Sequence, residues 1–241
     1  MASLLHPNAA AALGTPGLAA WLLPLSTRPV NDPVPPRPSA ELRSSFGEID
    51  IYLFDQLLKG RFDRRRRVLD AGCGDGRNLV YFLRRGFTCF GVDRDPAAIG
   101  DVRRLAAACA PELPLQNFQV GQIERLPWED LSVNAVICSA VLHFASDEAH
   151  FGRMLDGMWR VLAPDGMLFA RLASSIGLED RIQSVRGRVR LPDGSDRFVV
   201  DESFLLEWTR RFDARLLDPI KTTNVQHQRC MTTWCLLKTS K

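Results

Sequence analysis

The chain has 241 residues and a mass of 27.0 kDa. With 46% hydrophobic and 24% charged residues it can bury a large core, which excludes a globally disordered or collagen-like chain and favours one soluble globular domain. The formal net charge of +3, from 31 basic and 28 acidic residues, is too small to imply nucleic-acid binding by charge alone.

Residues 1–40 differ in composition from the rest of the chain, with seven prolines between positions 16 and 38. This proline density opposes regular elements, so we predict a disordered or loosely packed extension. The apolar run 9–25 is similar to part of a secretory leader, but no Lys or Arg precedes it, and 14–17 interrupts it. It is also too short and broken to span a membrane. A leader and a cap that folds over the domain are the alternatives.

Residues 41–241 are predicted to form a single domain. Apolar residues from Phe46 to Leu58 recur at helical spacing and predict an amphipathic helix over 46–59. The basic run 64–67 is interpreted as a solvated loop before a buried strand, with a nucleic-acid patch as the alternative. Beyond it, strands are predicted near 67–71, 87–92, 116–120, 133–139 and 165–172, and helices near 76–85, 96–109 and 148–162.

This alternation predicts an α/β fold with a parallel sheet and helices on both faces, because each parallel strand needs a right-handed crossover. Ligands of such folds bind beyond the carboxyl ends of the strands. The C-terminal part predicts a hairpin or flap around 192–195, a helix over 202–212 that begins after Asp201, and two strands near 214–221 and 228–238.

Six cysteines are spread along the chain, mostly within apolar runs, unlike the dense spacing of a disulfide-stapled secreted domain. They indicate reduced thiols and a cytoplasmic protein. Cys230 and Cys235 have no second Cys or His pair at zinc-ligand spacing, and strand alternation would point them to opposite faces. We therefore predict no metal site.

The most informative segment is an apolar strand that runs into three alternating glycines, Gly72, Gly74 and Gly76, and then into a helix. Glycine allows a tight turn and a close ligand approach that a Cβ would block. The second strand ends at Asp93, beside the end of the first, where a carboxylate can accept hydrogen bonds from both hydroxyls of a ribose. Together with Asp70, which precedes the loop, this pattern indicates a nucleoside-cofactor site.

Two nucleoside cofactors compete for this pattern, a dinucleotide and S-adenosylmethionine. A dinucleotide loop normally has the spacing Gly-x-Gly-x-x-Gly, and its helix N-terminus receives a pyrophosphate. Here the spacing is Gly-x-Gly-x-Gly, and Asp70 would repel a diphosphate but attract the ammonium of a methionine moiety. S-adenosylmethionine is therefore the predicted cofactor.

Residues of about 66–172 resemble a class I S-adenosylmethionine-dependent methyltransferase. Residues 69–76 match the first motif of that family, and 161–166 resemble its Leu-x-Pro-Gly-Gly turn. The resemblance implies a Rossmann-like, doubly wound, mostly parallel sheet of seven strands whose last strand is antiparallel. It also implies that the glycines line the methionine part, that Asp93 holds the ribose and that Arg94 lies against the adenine.

The end of the third strand departs from the family pattern, because Gln122 stands where the family usually has an Asp that accepts a hydrogen bond from the adenine amino group. The glutamine carbonyl can also accept this bond, and Ile123 would contact the adenine through its backbone N–H and its apolar side chain. The predicted cofactor site comprises Asp70, Gly72, Cys73, Gly74, Gly76, Asn78, Asp93, Arg94, Gln122, Ile123 and Ser139.

The segment after the fourth strand bears on the methyl acceptor. Residues 138–144 contain neither the Asn/Asp-Pro-Pro-aromatic sequence of enzymes that methylate base amines nor the Pro-Cys pair of cytosine C5 methylation, so nucleic acid is not the expected substrate. His143 is a candidate catalytic base for a thiol or hydroxyl acceptor. A hydrogen-bonded histidine at a helix start is the alternative.

A narrower resemblance, carried by 76–78 and 228–238, is to the tellurite-resistance and related thiol or chalcogen methyltransferases. It makes Arg229 a candidate to bind an anionic acceptor, with a solvent-facing strand residue as the alternative. Five arginines within 175–200 predict a basic lid over the substrate, and a solvated hairpin is the alternative.

We therefore predict an S-adenosylmethionine-dependent methyltransferase that moves a methyl group to a small-molecule acceptor by in-line displacement, with no membrane partner. A methyltransferase that acts on protein or RNA and a non-catalytic S-adenosylmethionine-binding regulator are the alternatives.

Overall fold

The structure is a computed structural model that describes residues 37–182 and 186–240. Most of the predicted N-terminal extension, residues 1–36, lies outside the described residues, so its disorder stays a prediction. The first helix begins at Arg37, within the range predicted for the extension.

Strands and helices alternate along the central part of the chain. The helices are α1 (Arg37–Phe46), α2 (Ile51–Leu58), α3 (Val80–Arg84), α4 (Pro96–Cys109), α5 (Glu148–Val161) and α6 (Glu202–Arg211). The strands are β1 (Arg67–Ala71), β2 (Thr88–Asp93), β3 (Phe118–Val120), β4 (Val133–Ser139), β5 (Leu162–Ser174), β6 (Gly187–Arg190), β7 (Asp196–Val199), β8 (Ala214–Leu216), β9 (Lys221–Val225) and β10 (Arg229–Lys238). Within the described residues, no helix combines the length and apolarity needed to cross a membrane.

Eight strands form the central sheet in the order β3-β2-β1-β4-β5-β10-β8, and β9 also pairs with β10. Strands β1 to β5 are parallel to one another, whereas β10 runs antiparallel to β5, β8 and β9. The predicted Rossmann-like α/β fold with an antiparallel last strand is thereby confirmed. The sheet has eight strands instead of seven because its edge is split between β8 and β9, with Pro219, which has no N–H to donate, in the intervening segment.

Apolar side chains cover the sheet on both faces. One buried cluster includes Phe151 of α5 and Trp208 of α6. The other includes Leu53 of α2, Phe82 of α3 and Ile99 of α4. Because successive side chains of a strand point to opposite faces, the same buried strands contribute to both clusters.

The helix predicted over 46–59 corresponds to α2, which begins only at Ile51, and α1 is an additional helix that shares only Phe46 with that range. Gly47 follows α1 with a φ of +64°, a left-handed conformation that ends a helix. Asp50 then caps α2, since its side chain accepts a hydrogen bond of 2.9 Å from the backbone N of Tyr52. Helix α3 is also shorter than the predicted 76–85, because turns that follow the glycine loop occupy the residues before it.

The predicted flap contains a two-stranded hairpin of β6 and β7 that turns at 191–195. Leu191 and Val199 pack with Ala173 of β5 and Cys230 of β10 in a third buried cluster. The hairpin is therefore anchored at the carboxyl end of β5. Its role as a lid stays a prediction.

The six cysteines are free thiols, and five of them are buried. Cys230 and Cys235 belong to different buried clusters, in agreement with the predicted alternation along their strand.

Candidate functional site

The glycine loop follows β1 at the carboxyl edge of the sheet. Gly72, Gly74 and Gly76 have φ angles of +81°, +52° and +87°, which side chains with a Cβ rarely adopt. A Cβ on Gly72 would lie 2.5 Å from Cγ2 of Val141, and one on Gly76 would lie 2.6 Å from Cγ2 of Val102. The loop is therefore packed so closely at its two ends that only glycine fits.

Asp93 ends β2 beside this loop. Its Oδ2 accepts a hydrogen bond of 2.9 Å from the backbone N of Gly74, and its Oδ1 accepts one of 3.0 Å from the backbone N of Asp95. These two bonds orient the carboxylate, and each oxygen keeps a second lone pair for a ligand. The side chain thus combines a fixed position with remaining acceptor capacity.

Asp70 lies in β1 directly before the loop and is 1% exposed. Neither of its carboxyl oxygens has a hydrogen-bond partner among the described residues. Burial raises the pKa of Asp70 to about 8, while Arg77 opposes the rise and Asp93 adds to it. A cation bound at this edge of the sheet would stabilise the ionised carboxylate.

A cavity of about 330 Å³ opens at the carboxyl ends of the parallel strands. It is lined by Gly72, Asp93, Arg94, Gly121, Gln122, Ile123, Glu124, Ser139, Ala140, Val141, Phe144, His150 and Met154. Six of the predicted cofactor residues are in this set, and they follow or end β1, β2, β3 and β4. Parallel strands place their carboxyl ends at one edge, which is why residues so distant in sequence meet here.

The remaining predicted cofactor residues lie outside the cavity lining. Gly74 acts on the site through its N–H, which orients Asp93. The side chain of Cys73 is buried and faces Gly91 of the neighbouring strand. Asn78 is buried and accepts a hydrogen bond of 3.0 Å at Oδ1 from the backbone N of Asp50, so it supports the start of α2. Direct cofactor contacts by these side chains stay predictions.

A buried polar network next to Ser139 was not predicted from the sequence. Oδ2 of Asp50 accepts hydrogen bonds from Oγ of Ser139 at 3.1 Å and from Nη1 of Arg171 at 3.0 Å. The guanidinium carbon of Arg171 lies 4.9 Å from the centre of the Tyr52 ring. The network ties α2 to the ends of β4 and β5. An Asp before a helix was visible in the sequence, but its partners are 89 and 121 residues away.

A second unpredicted pair, Glu124 and His150, lines the cavity from the side of α5. Nδ1 of His150 accepts a hydrogen bond of 3.0 Å from the backbone N of Ser146, so the proton on Nε2 is available to Glu124 Oε1, with which it is hydrogen-bonded. The pair connects the start of α5 with the turn that carries Ile123. No local sequence pattern marks this pairing, because the residues lie on separate elements.

His143 is 5% exposed in the turn after β4. Its Nδ1 accepts a hydrogen bond of 3.3 Å from the backbone N of Ala173, which leaves the proton on Nε2. Burial lowers the pKa of His143 to about 4, with smaller contributions from Arg197 and Arg229. His143 is therefore neutral near pH 7. Its predicted role as a base stays a prediction.

Arg229 begins β10 close to the hairpin. Its guanidinium is 3.9 Å from Oδ2 of Asp193, and the side chain is 55% exposed. From the hairpin itself, Arg188 donates a hydrogen bond of 3.2 Å to the backbone O of Ala145. Arg188 thus reaches the segment after β4 that borders the cavity, whereas Arg186 bonds to Asp201 and Glu207 at α6.

The segment that forms this site has counterparts in known proteins. Residues 69–170 match the methyltransferase domain family. The chain also aligns with the uncharacterized methyltransferase YcgJ of Bacillus subtilis, which is 34% identical over 155 residues, 63% of this chain and 56% of YcgJ. The 2-heptyl-1-hydroxyquinolin-4(1H)-one methyltransferase of Mycobacteroides abscessus is 37% identical over 78 residues, 32% of this chain and 33% of that protein.

Solved structures share the fold over more of the chain than residues 69–170. The crystal structure of 1,6-didemethyltoxoflavin-N1-methyltransferase from Burkholderia thailandensis, with 1,6-didemethyltoxoflavin and S-adenosylhomocysteine bound, has a TM-score of 0.61 and 17% sequence identity. The alignment covers 84% of this chain and 83% of that chain. At this identity the likeness shows the fold.

The alignment with YcgJ spans little more than half of that relative. The family match and the names of the relatives agree with the methyltransferase class predicted from the sequence. They do not separate the tellurite-resistance and thiol subgroup from other methyltransferases, so that resemblance stays a prediction.

Proposed function

We propose that this chain is an S-adenosylmethionine-dependent methyltransferase that acts on a small-molecule acceptor. The observation that carries the proposal is a cavity lined by Gly72 of the glycine loop and by the oriented Asp93. Directly before this loop lies the buried carboxyl of Asp70, which has no hydrogen-bond partner among the described residues. The carboxylate of Asp70 would repel a phosphate bound at this loop. A cationic ligand would instead supply the positive counter-charge that stabilises the ionised carboxylate.

The residues present fit the proposed cofactor. Asp93 would hold the ribose hydroxyls, and Gln122 and Ile123 would meet the adenine from the end of β3. Asp70 would act on the ammonium and sulfonium charges through the glycine loop. S-adenosylmethionine, when bound, supplies an electrophilic methyl group on a positively charged sulfur.

The side chains of this chain then position the acceptor and exclude water. Alignment of two reactants in a closed site can supply about 7–11 kcal/mol of the barrier reduction. An anionic acceptor needs no base, which agrees with a His143 that is neutral and already accepts a backbone hydrogen bond. We therefore propose that His143 acts as a hydrogen-bond donor through Nε2, and not as a strong base.

The proposed acceptor class is a small molecule, such as a thiol, a chalcogen oxyanion or another small metabolite. Two of the compared proteins are named for heteroaromatic small-molecule substrates, which supports this choice. The resemblance to the tellurite-resistance and thiol methyltransferases adds Arg229 as a ligand for an anionic acceptor. Its half-exposed side chain leaves it accessible.

Cofactor binding is tested by Asp93→Ala. We expect calorimetry with S-adenosylhomocysteine to show binding by the wild-type chain and a loss of affinity of at least 100-fold in the variant, because two charge-assisted hydrogen bonds to the ribose would be removed. Asp101→Ala is the matched control, since Asp101 is an exposed acid on α4 outside the cavity. Unchanged binding by Asp93→Ala would refute the site.

The reaction is tested by incubation with labelled S-adenosylmethionine and a panel of thiols, chalcogen oxyanions, amines and hydroxylated metabolites. We expect label in the small-molecule fraction, with the headspace analysed for volatile products. Label in protein or RNA would show that the methyl acceptor is a macromolecule and would refute the small-molecule proposal. Cofactor binding without turnover on any acceptor, small or macromolecular, would favour a regulator.

A further inference from the structure

Phe144 separates the cofactor cavity from the arginines of the hairpin. Its ring lines the cavity, and the guanidinium carbon of Arg197 lies 5.0 Å from the ring centre. The ring of His143 meets it edge-on, with 4.7 Å between centroids. A group bound against Arg197 would therefore lie beside the cavity that we assign to the cofactor.

The positive charge at this place is only partly neutralised. Arg197 donates a hydrogen bond of 2.8 Å to the backbone oxygen of Asp196. One carboxylate, that of Asp193, is shared by Arg197 and Arg229. Hydrogen bonds from Ser195 and the charges of the two arginines lower the pKa of this carboxylate. Arg229 has Asp193 at 3.9 Å, a distance at which a half-exposed ion pair is weak. Both guanidiniums also act on His143, whose buried imidazole is neutral and so contributes no further positive charge.

This combination suits an oxyanion better than a neutral group. A planar guanidinium presents N–H donors in a fork that matches the two oxygens of a carboxylate. Phe144 is 43% exposed and offers an apolar surface next to that fork. The hydrogen bond from Arg188 to Ala145 holds the hairpin against the segment that carries Phe144.

We propose that Arg197 and Arg229 form the acceptor site and that the acceptor is a small molecule with a carboxylate group. This inference rests on the proposed function, because it places the carboxylate beside a cofactor cavity. In this arrangement the carboxylate accepts hydrogen bonds from guanidinium N–H groups, and the carbon skeleton packs on Phe144. The site selects acceptors by charge, while the cofactor is held separately at the glycine loop.

The test uses benzoate and benzamide, which share a shape and differ in charge. The full chain is saturated with S-adenosylhomocysteine, and each probe is titrated while NMR follows the imidazole of His143 and the ring of Phe144. We expect benzoate to bind at least tenfold more tightly than benzamide. Arg197→Gln and Arg229→Gln should each weaken benzoate binding about tenfold and leave S-adenosylhomocysteine affinity within twofold of wild type.

Arg190→Gln is the matched control, because Arg190 is an exposed arginine of the same hairpin outside these contacts. It should leave benzoate affinity unchanged. Equal affinity for both probes, or an equal loss in the Arg190 and Arg229 variants, would overturn the carboxylate site. Absence of S-adenosylhomocysteine binding by the wild-type chain would instead refute the proposed function.

Discussion

Asp70 illustrates at the scale of single residues how a site can oppose the stability of its own fold. The carboxyl is fully buried, lacks a hydrogen-bond partner among the described residues, and has a pKa raised to about 8 by burial. In the unfolded chain the same group would titrate near its ordinary value of about 4. Between these two pH values, folding requires the carboxyl to take up a proton, so stability falls as the pH rises.

Asp70→Asn should therefore stabilise the ligand-free protein at neutral pH while weakening its binding of the cofactor. The amide keeps the shape but cannot ionise, and we expect a gain in unfolding free energy on the order of 2–4 kcal/mol at pH 7. The gain should shrink as the pH is lowered toward 5, because the unfolded carboxylate then takes up its proton at less cost.

Urea denaturation of both proteins between pH 5 and pH 8 measures this difference, and calorimetry at pH 7 measures S-adenosylmethionine binding. A variant less stable than the wild type at pH 8 would contradict the assigned protonation state of Asp70. Tighter cofactor binding by the variant would contradict its electrostatic role.

At the scale of elements, the connection from β1 to α3 depends on two glycines that serve different purposes. Gly72 has both a left-handed φ of +81° and a neighbour, Val141, in the place of a Cβ. Gly74 has a φ of +52° and open space around it, so its conformation alone favours glycine. A substitution at Gly74 therefore measures the effect of backbone strain alone, and one at Gly72 measures strain together with steric conflict.

Gly72→Ala should destabilise the protein by about 2–4 kcal/mol, because backbone strain and overpacking add. Gly74→Ala, the matched control, should cost about 1–2 kcal/mol from strain alone. Chemical denaturation measures both values, and S-adenosylhomocysteine titration shows whether the cavity is preserved. Equal destabilisation of the two variants would contradict the close packing of the loop on Val141.

Helix α5 is positioned against the opposite side of the cavity by equally close packing. A Cβ on Gly157 would lie 2.3 Å from the backbone O of Ile123, so α5 approaches the turn after β3 without an intervening side chain. Arg160 donates a hydrogen bond of 2.7 Å to the backbone O of Leu126 in the same segment. With the pair of Glu124 and His150 at the start of the helix, these contacts hold the cavity wall at both ends.

At the scale of the whole molecule, the described site is assembled from one continuous compact unit, residues 37–241. The residues that line the cavity lie between Gly72 and Met154. Removal of residues 1–36 should therefore leave S-adenosylhomocysteine affinity within twofold and the thermal midpoint within about 2 °C, as expected for a loosely packed extension. Calorimetry and thermal unfolding of the shortened chain measure both, and a large loss of affinity would favour the alternative of a cap over the domain.

Most of the central fold could be predicted from local patterns. Strands β1 and β4 and helix α4 lie at the predicted residues, because short apolar runs and helical spacing are properties of neighbouring residues. The start of the helix predicted over 46–59 was wrong, since apolar residues recur from Phe46 onward, whereas the left-handed backbone at Gly47 delays the start of α2 to Ile51. The division of the strand predicted over 214–221 into β8 and β9 was also missed. Both strands pair with β10, and this pairing cannot be read from the apolar spacing of the segment itself.

Spacing along the chain was enough to predict the alternation of strands and helices from β1 to α5, the glycine loop and the position of Asp93 at the end of the next strand. Which polar side chains face each other became visible only in the packed structure. Asp50 meets Arg171, Glu124 meets His150, and Arg197 covers Phe144. Each of these contacts joins separate elements, so it exists only after the sheet and its helices have packed.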